Sequence, residues 1–195
     1  MCNKLAIAIV ERYVEKGIII NDEYEVYVYS FERLLSQILS LALIFSIAII
    51  FNLVLETLLF YIGFSLLRKT SGGIHAKTSL TCNILSIINE VLFFIVIYIT
   101  KDTFRNVICL GIIIISLVCC FILAPVDHPN KRFNDNEHRH YKRLCIIVSV
   151  LSAIIAVLFN FIRPNNIYVF SYCLGVISAN ISLVIAFVER RRRNV

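Results

Sequence analysis

The sequence predicts an all-α, polytopic integral membrane protein, and three observations support this fold class. Hydrophobic residues make up 59% of the 195 residues and charged residues only 16%, whereas a soluble domain carries about 25% charged residues. The mean hydropathy is +0.83. Apolar runs recur along the chain, separated by charged or Pro/Asn clusters. The length leaves room for one membrane domain over residues 1–195 and excludes a separate soluble catalytic domain.

Residues 1–30 are predicted to form an amphipathic N-terminal segment. Leu5, Ile9 and Tyr13 lie on one helical ridge, which is typical of a helix that lies on the membrane surface. The first apolar run is too short for a signal peptide, and no small-residue cleavage site follows it. We therefore expect a surface helix that ends near Gly17, and not a cleaved leader.

Six apolar segments predict membrane-spanning helices, because each approaches the roughly 20 residues that cross a bilayer. The first two form a helical hairpin over residues 33–67, with the turn at Asn52. The remaining four occupy residues 83–188, and a basic tail follows at 189–195. The predicted spans are about 33–51, 53–67, 83–100, 105–124, 144–162 and 166–188.

The distribution of basic residues predicts which side each loop faces. If all six segments cross, three of the 19 lysines and arginines, namely Lys101, Arg105 and Arg163, fall on one side and the others on the opposite side. Because basic residues accumulate on the cytoplasmic side, we expect both termini and the 68–82 loop to be cytoplasmic. These clusters flank spans and lack a nucleic-acid reading motif, which favours membrane lipids over nucleic acid as their partner.

The polar loop at residues 68–82 carries the strongest chemical signal in the chain. It contains His75 and Cys82, and a thiol becomes a nucleophile when a base or a positive potential favours its thiolate. On one continuous helix the two residues would lie about 10 Å apart. Gly72 and Gly73 supply the backbone freedom that an irregular turn between them requires.

A helix that begins near Ser79 places Cys82 in its first turn. Unpaired amides and the helix dipole stabilise a thiolate there, and the same amides can bind an oxyanion. We therefore predict His75 as the general base and Cys82 as the nucleophile. Residues predicted to support the loop or the oxyanion are Arg68, Gly72, Gly73 and Ser79, and candidate substrate-binding residues are Lys77, Lys131 and Arg132.

His128, His138 and His140 form a second cluster that invites a metal-binding interpretation. No cysteine or third close histidine completes a four-ligand set. We therefore predict a cytoplasmic loop without a metal between the fourth and fifth spans, and the sequence indicates no other cofactor.

Small polar residues and cysteines also occur inside the apolar runs. Ser178, Asn180 and Ser182 lie in the last run, and we assign them to helix packing because such side chains hydrogen-bond between membrane helices. The seven cysteines are an odd number and mostly lie in apolar surroundings, so they imply no disulfide framework.

The loop pattern Arg68-x-x-x-Gly-Gly-x-His-Ala-x-x-Ser-x-x-Cys82 resembles the signature loop of the accessory gene regulator B (AgrB) peptide-processing proteases of Gram-positive bacteria. The likeness extends over nearly the whole chain, including the amphipathic segment, the hydrophobic body, and Ala124-Pro125 followed by Asn130-Lys131-Arg132. This second motif departs from the usual lysine-rich form because it carries Asp127 and His128.

The resemblance implies a membrane endopeptidase in a Gram-positive plasma membrane that acts on a small precursor peptide, called AgrD in the family. His75 and Cys82 match the family's catalytic dyad. Cys82 would release the acidic tail of the precursor, hold the peptide as a thioester and yield a thiolactone or lactone quorum-sensing signal. AgrB-like proteins are also expected to form homodimers. The alternative is a non-enzymatic membrane protein, such as a transporter subunit or assembly factor, whose loop only connects spans.

Overall fold

Helices account for the regular structure of the described residues. The computed structural model describes residues 2–73, 79–126 and 134–193, with the backbone alone at 2, 21, 79, 80, 82 and 193. Within these ranges it contains a 3-10 turn (Asn21–Glu23) and no strand. The helices are α1 (Cys2–Glu15), α2 (Tyr24–Ile50), α3 (Val54–Ser71), α4 (Ser79–Ile99), α5 (Asp102–Leu123), α6 (Asp135–Ile162) and α7 (Ile167–Arg193).

Each of the six apolar segments is helical, which confirms the all-α class. In the described ranges, α2, α5, α6 and α7 are long and apolar enough to cross a membrane. The apolar part of α4, Asn83–Ile99, and the 18-residue α3 are shorter. A helix of that length extends about 27 Å, close to the roughly 30 Å of a hydrocarbon core. The chain turns between α2 and α3 where the sequence predicts it, and Asn52 has a φ of 58° there.

Two helices begin about nine residues before the predicted spans. The α2 helix starts at Tyr24, inside the predicted amphipathic segment, and α6 starts at Asp135. A capping box explains the α6 start. The side chain of Asn134 accepts a hydrogen bond from the backbone N–H of Asp135 (2.8 Å), and Glu137 accepts one from the N–H of Asn134 (3.1 Å).

The early start of α6 corrects the prediction that the histidine cluster lies in a loop. His138 and His140 belong to the first turns of α6. Residues two apart on a helix do not face each other, so these two imidazoles project in different directions. His128 lies outside the described residues. The helical geometry thus gives a further reason to set the metal interpretation aside.

Contacts divide the described chain into two compact units. The first contains α1, α2 and the beginning of α4 up to Glu90, and the second contains α3, α5, α6, α7 and the rest of α4. In the first unit α1 packs on α2 through Ala6 and Val10, both fully buried. Asn3 also donates a hydrogen bond to Glu32 of α2 (2.9 Å). Leu5, on the predicted membrane-facing ridge, is exposed.

In the second unit α7 is the central helix, because it packs against α3, α5 and α6. Two glycines allow a close approach of α3 and α7. A Cβ atom at Gly175 would lie 2.9 Å from the carbonyl carbon of Phe60, and one at Gly63 would lie 3.3 Å from that of Tyr172. Small residues commonly allow membrane helices to approach in this way.

The contacts of Asn180 in α7 confirm the prediction that this residue contributes to helix packing. Its side chain is 1% exposed. The amide donates a hydrogen bond to the carbonyl of Val176 (2.9 Å) and accepts one from the thiol of Cys120 on α5 (3.8 Å). These hydrogen bonds offset the cost of burying the amide, and the bond from Cys120 joins two helices.

The starts of α5 and α7 lie together at one end of the second unit. The N–H of Asn165 donates to the side-chain oxygen of Asn106 (2.6 Å), and the N–H of Asn106 donates to that of Asn165 (3.2 Å). We call these two residues the asparagine pair. Beside them Arg105 forms an ion pair with Asp102 (2.8 Å) and lies 5.8 Å from the ring centre of Phe170.

Candidate active site

The polar loop begins where α3 ends, and Arg68 lies in the last turn of that helix. Its guanidinium carbon lies 5.6 Å from the centre of the Phe64 ring. The same guanidinium donates a hydrogen bond to the hydroxyl of Ser182 on α7. A planar guanidinium can stack on a ring and donate from its edge at once, so two helices fix the direction of this cation.

Gly72 ends α3 in a conformation that other residues rarely adopt. Its φ is 81°, and its N–H donates to the carbonyl of Arg68 (3.2 Å). A Cβ atom here would lie 2.6 Å from the carbonyl oxygen of Val126. Both the dihedral angle and the close contact therefore require glycine at this position.

The start of the loop lies beside the segment that follows α5. Ser71 is fully buried, and its carbonyl accepts a hydrogen bond from the N–H of Val126 (3.1 Å). Val126 directly follows the Ala124-Pro125 motif. The beginnings of the two sequence motifs are thus joined through their backbones, although they are more than fifty residues apart in the chain.

A side chain at Gly73 would have to displace the ends of two neighbouring side chains. A Cβ atom here would lie 2.7 Å from the hydroxyl oxygen of Ser182 and 3.1 Å from the guanidinium carbon of Arg68. The sequence suggested that the two glycines supply backbone freedom. The structure adds a different reason, because both glycines are held against neighbouring groups that a Cβ atom would strike.

On the far side of the loop, α4 begins at Ser79 and Cys82 lies in its first turn, as expected. Cys82 is the fourth residue of this helix. That is one position later than Ser79 as N-cap would give, since the helix itself starts at Ser79 and the cap position falls on Thr78, outside the described residues. Next to Cys82, Asn83 accepts a hydrogen bond from Ser36 of α2 (3.0 Å), which ties this turn to α2 within the first unit.

The other predicted site residues fall outside the described part of the chain. These are His75, Lys77, Lys131 and Arg132, and the side chains of Ser79 and Cys82 are likewise not described. The pairing of His75 with Cys82 stays a prediction. Sequence reasoning missed the contact of Ser182 with Arg68, 114 positions away, because it assigned Ser182 to general helix packing and no local pattern connects the two residues.

Most of the other cysteines are shielded inside the helices. Cys109, Cys120, Cys145 and Cys173 are each at most 1% exposed, and Cys119 is half-buried. This burial agrees with their assignment as small apolar side chains. Cys82 differs from them in its sequence context, since it adjoins the polar loop.

The fold and the loop define a class: an all-helical membrane protein with a glycine-rich polar loop before a helix that carries a cysteine in its first turn. The family model for Accessory gene regulator B (AgrB) matches residues 2–185, and the chain belongs to this family. Family membership supports a role in the Agr quorum-sensing system.

Curated relatives agree with this assignment. An AgrB-like protein of Clostridium perfringens strain SM101 is 34% identical over 116 residues, which covers 57% of this chain and 54% of the relative. An AgrB-like protein of Listeria monocytogenes strain HCC23 is 30% identical over 172 residues, which covers 85% of this chain and 80% of the relative. No solved structure gives a significant match.

Proposed function

We propose that this protein is a membrane cysteine endopeptidase that cleaves and cyclises an AgrD-type precursor peptide. The observation that carries the proposal is the position of Cys82 in the first turn of α4, directly after the glycine-rich loop, in a chain of the AgrB family. Free backbone amides at a helix start favour a thiolate. His75 and Cys82 match the catalytic dyad of the family, and both belong to the same short loop.

In the first step, His75 accepts the proton of the Cys82 thiol. The thiolate attacks the carbonyl carbon at the C-terminal end of the signal sequence, and amides of the first turn of α4 stabilise the oxyanion. The C–N bond then breaks, and His75 returns the proton to the leaving amine. The acidic tail departs, and the peptide remains on Cys82 as a thioester.

In the second step, a thiol or hydroxyl of the bound peptide attacks the thioester carbonyl. Its proton passes to His75, the C–S bond to Cys82 breaks, and the sulfur leaves as a thiolate that takes up the proton. The product is a thiolactone or a lactone. An intramolecular nucleophile gains a large effective concentration, and it prevails over hydrolysis where the site excludes water.

The basic residues suggest how the protein binds its substrate and how it is oriented in the membrane. We propose that Lys77, Lys131 and Arg132 attract the acidic tail of the precursor, and that the 68–82 loop and both termini face the cytoplasm of a Gram-positive cell, as the excess of basic residues on that side predicts. The same basic residues suit anionic lipid headgroups. We further propose that the protein acts as a homodimer, as expected for the family.

The test is co-expression with a short precursor encoded beside this gene, followed by mass spectrometry of cell extracts. Cys82→Ala should abolish release of the tail and His75→Ala should strongly reduce it, while membrane insertion is retained in both. Cys119→Ala is the matched control, because this thiol lies in an apolar helix far from the loop in sequence, and it should cleave normally. The parent should also yield a hydroxylamine-sensitive adduct on Cys82. Unchanged processing in both loop variants would instead favour a non-enzymatic membrane protein.

A further inference from the structure

We propose that Ser182 of α7 is a positioning residue for this cleavage reaction. It holds the guanidinium of Arg68 and, through it, the backbone of Gly73, where the chain enters the segment that leads to His75. The inference rests on the proposed function. It adds a residue that lies 100 positions after the end of the loop and that the reaction chemistry alone does not identify.

The first step of the argument is the fixed direction of Arg68. An arginine at the end of a helix normally samples many rotamers, and ordering it costs conformational entropy. Here the ring of Phe64 supports one face of the guanidinium, and the hydroxyl of Ser182 accepts a hydrogen bond from its edge. Phe64 belongs to the same helix as Arg68, whereas Ser182 supplies a contact that fixes Arg68 relative to α7.

The second step connects Arg68 to the loop backbone. The Cα of Gly73 packs so closely against Arg68 and Ser182 that a Cβ atom would lie 3.1 Å from the guanidinium carbon of the first and 2.7 Å from the hydroxyl oxygen of the second. Two residues earlier, Ser71 is bonded to the N–H of Val126. The chain is therefore held at two points before it continues to His75.

The third step is the consequence for the reaction. His75 follows Gly73 by two residues in the sequence, and two residues of chain reach at most about 7 Å. Whatever fixes Gly73 therefore limits the region that the imidazole can search. Loss of the Ser182 hydroxyl should weaken this restriction, although the bond between Ser71 and Val126 remains, and it alters no group that reacts.

Another serine of α7 provides a matched control. Ser171 is fully buried, and its hydroxyl donates to the carbonyl of Ile167 in its own helix (2.8 Å). Removing it tests the loss of a serine hydroxyl from α7 without loss of the contact to α3. A single polar contact contributes little to the association of membrane helices, so both serine variants should insert and fold.

The kinetic test compares Ser182→Ala, Ser182→Val and Ser182→Thr with Ser171→Ala, using purified protein and a synthetic precursor. The alanine and valine variants should lower kcat on the order of 10- to 100-fold with little change in KM, because the catalytic group is misplaced and the peptide-binding groups are intact. Threonine keeps the hydroxyl and has nearly the shape of valine, so it should restore most of kcat. Ser171→Ala should match the parent.

A second readout does not depend on cleavage. Hydrogen–deuterium exchange of the peptides that contain residues 69–73 and Val126 should be faster in Ser182→Ala and Ser182→Val than in the parent, and unchanged in Ser171→Ala. Parent-like kcat in Ser182→Ala, equal losses in the threonine and valine variants, or unchanged exchange would each overturn the inference. If Cys82→Ala and His75→Ala leave cleavage intact, the proposed function fails, and the exchange measurement still decides whether Ser182 holds the loop.

Discussion

Different interactions hold the helices together at the two ends of the second unit. These ends are separated by the length of α5, about 30 Å. At the end where α5 and α7 begin, the asparagine pair exchanges two hydrogen bonds between backbone amides and side-chain oxygens. At the loop end, the backbones of Ser71 and Val126 meet directly, and a cation, a hydroxyl and two glycines are packed beside them.

This difference suggests that the loop end serves catalysis and the asparagine end serves stability. The asparagine pair is neutral, and each side chain accepts a hydrogen bond from a backbone N–H near the start of α5 or α7, which stabilises the fold. The loop end uses two adjacent glycines, which lose the most conformational freedom on folding, and it orders an arginine side chain. Because these choices cost stability, we expect changes at the loop end to reduce catalysis and changes at the asparagine end to reduce stability.

The largest effect should follow from His75→Ala at the loop end. Loss of a general base lowers cleavage by about 10²- to 10⁴-fold. The residual rate should rise with pH, because an unassisted thiol, whose ordinary pKa is about 8.5, is then ionised more fully by solvent hydroxide. Initial rates from pH 6 to pH 9 with a synthetic precursor would measure this change.

His138→Ala is the control for that experiment. His138 lies in the first turns of α6, and its loss should leave both the rate and the pH profile close to the parent. A near-normal rate for His75→Ala at neutral pH would show that His75 is not the base. The search would then turn to the residues between α5 and α6.

The next largest effect should follow from Gly73→Ala. The added Cβ atom collides with Arg68 and Ser182, so either the loop backbone or the guanidinium must shift, and cleavage should fall on the order of 100-fold. Gly111→Ala is the matched control, because a Cβ atom there meets nothing within 4 Å. Rates from the two variants at equal membrane content would measure the difference. Equal activity would show that the loop end tolerates displacement.

The sequence predicted the helices well and their ends poorly. The apolar runs identify all six large helices, since the lipid-crossing part of a helix must be apolar. The apolar runs do not include the polar turns that extend a helix beyond the membrane. Hydropathy alone therefore does not predict that α2 starts at Tyr24 and α6 at Asp135. The Asn134 capping box was visible in the sequence and predicts the α6 start when capping is considered.

The candidate residues of the loop can be proposed from the sequence, whereas the contacts that hold the start of the loop cannot. Local spacing identifies Arg68, the glycines and Cys82, because they share one short loop. The contact with Ser182 depends on the packing of α3 against α7, and the bond to Val126 depends on where α5 ends. Neither has a local signature, because both join residues that are far apart in the chain.

A smaller effect, on stability alone, should follow from Asn106→Ala. The N–H of Asn165 then loses its acceptor in a partly buried site, which costs about 1–3 kcal/mol. Asn106→Asp is the control, because it keeps an oxygen in the same position. Thermal unfolding in detergent should show a lower midpoint for the alanine variant and a smaller change for aspartate. A parallel loss of kcat in protein that remains folded would contradict the division between the two ends.

The smallest effect on the protein is expected from a cysteine at position 102. This variant tests whether the two ends lie on opposite sides of the membrane, as the excess of basic residues on one side predicts. Asp102 has a side chain that is 78% exposed at the asparagine end, so a cysteine placed there is accessible without disturbing the core. In a Cys82→Ala background, Asp102→Cys should react with a membrane-impermeant maleimide in intact cells. In the parent, Cys82 should react in inverted vesicles instead.

The thiols of Cys109, Cys120, Cys145 and Cys173 should stay unlabelled in both preparations because they are buried. Labelling of Asp102→Cys in inverted vesicles alone would place both ends on one side and break the six-span topology, while the Arg68–Ser182 contact within the second unit would still stand.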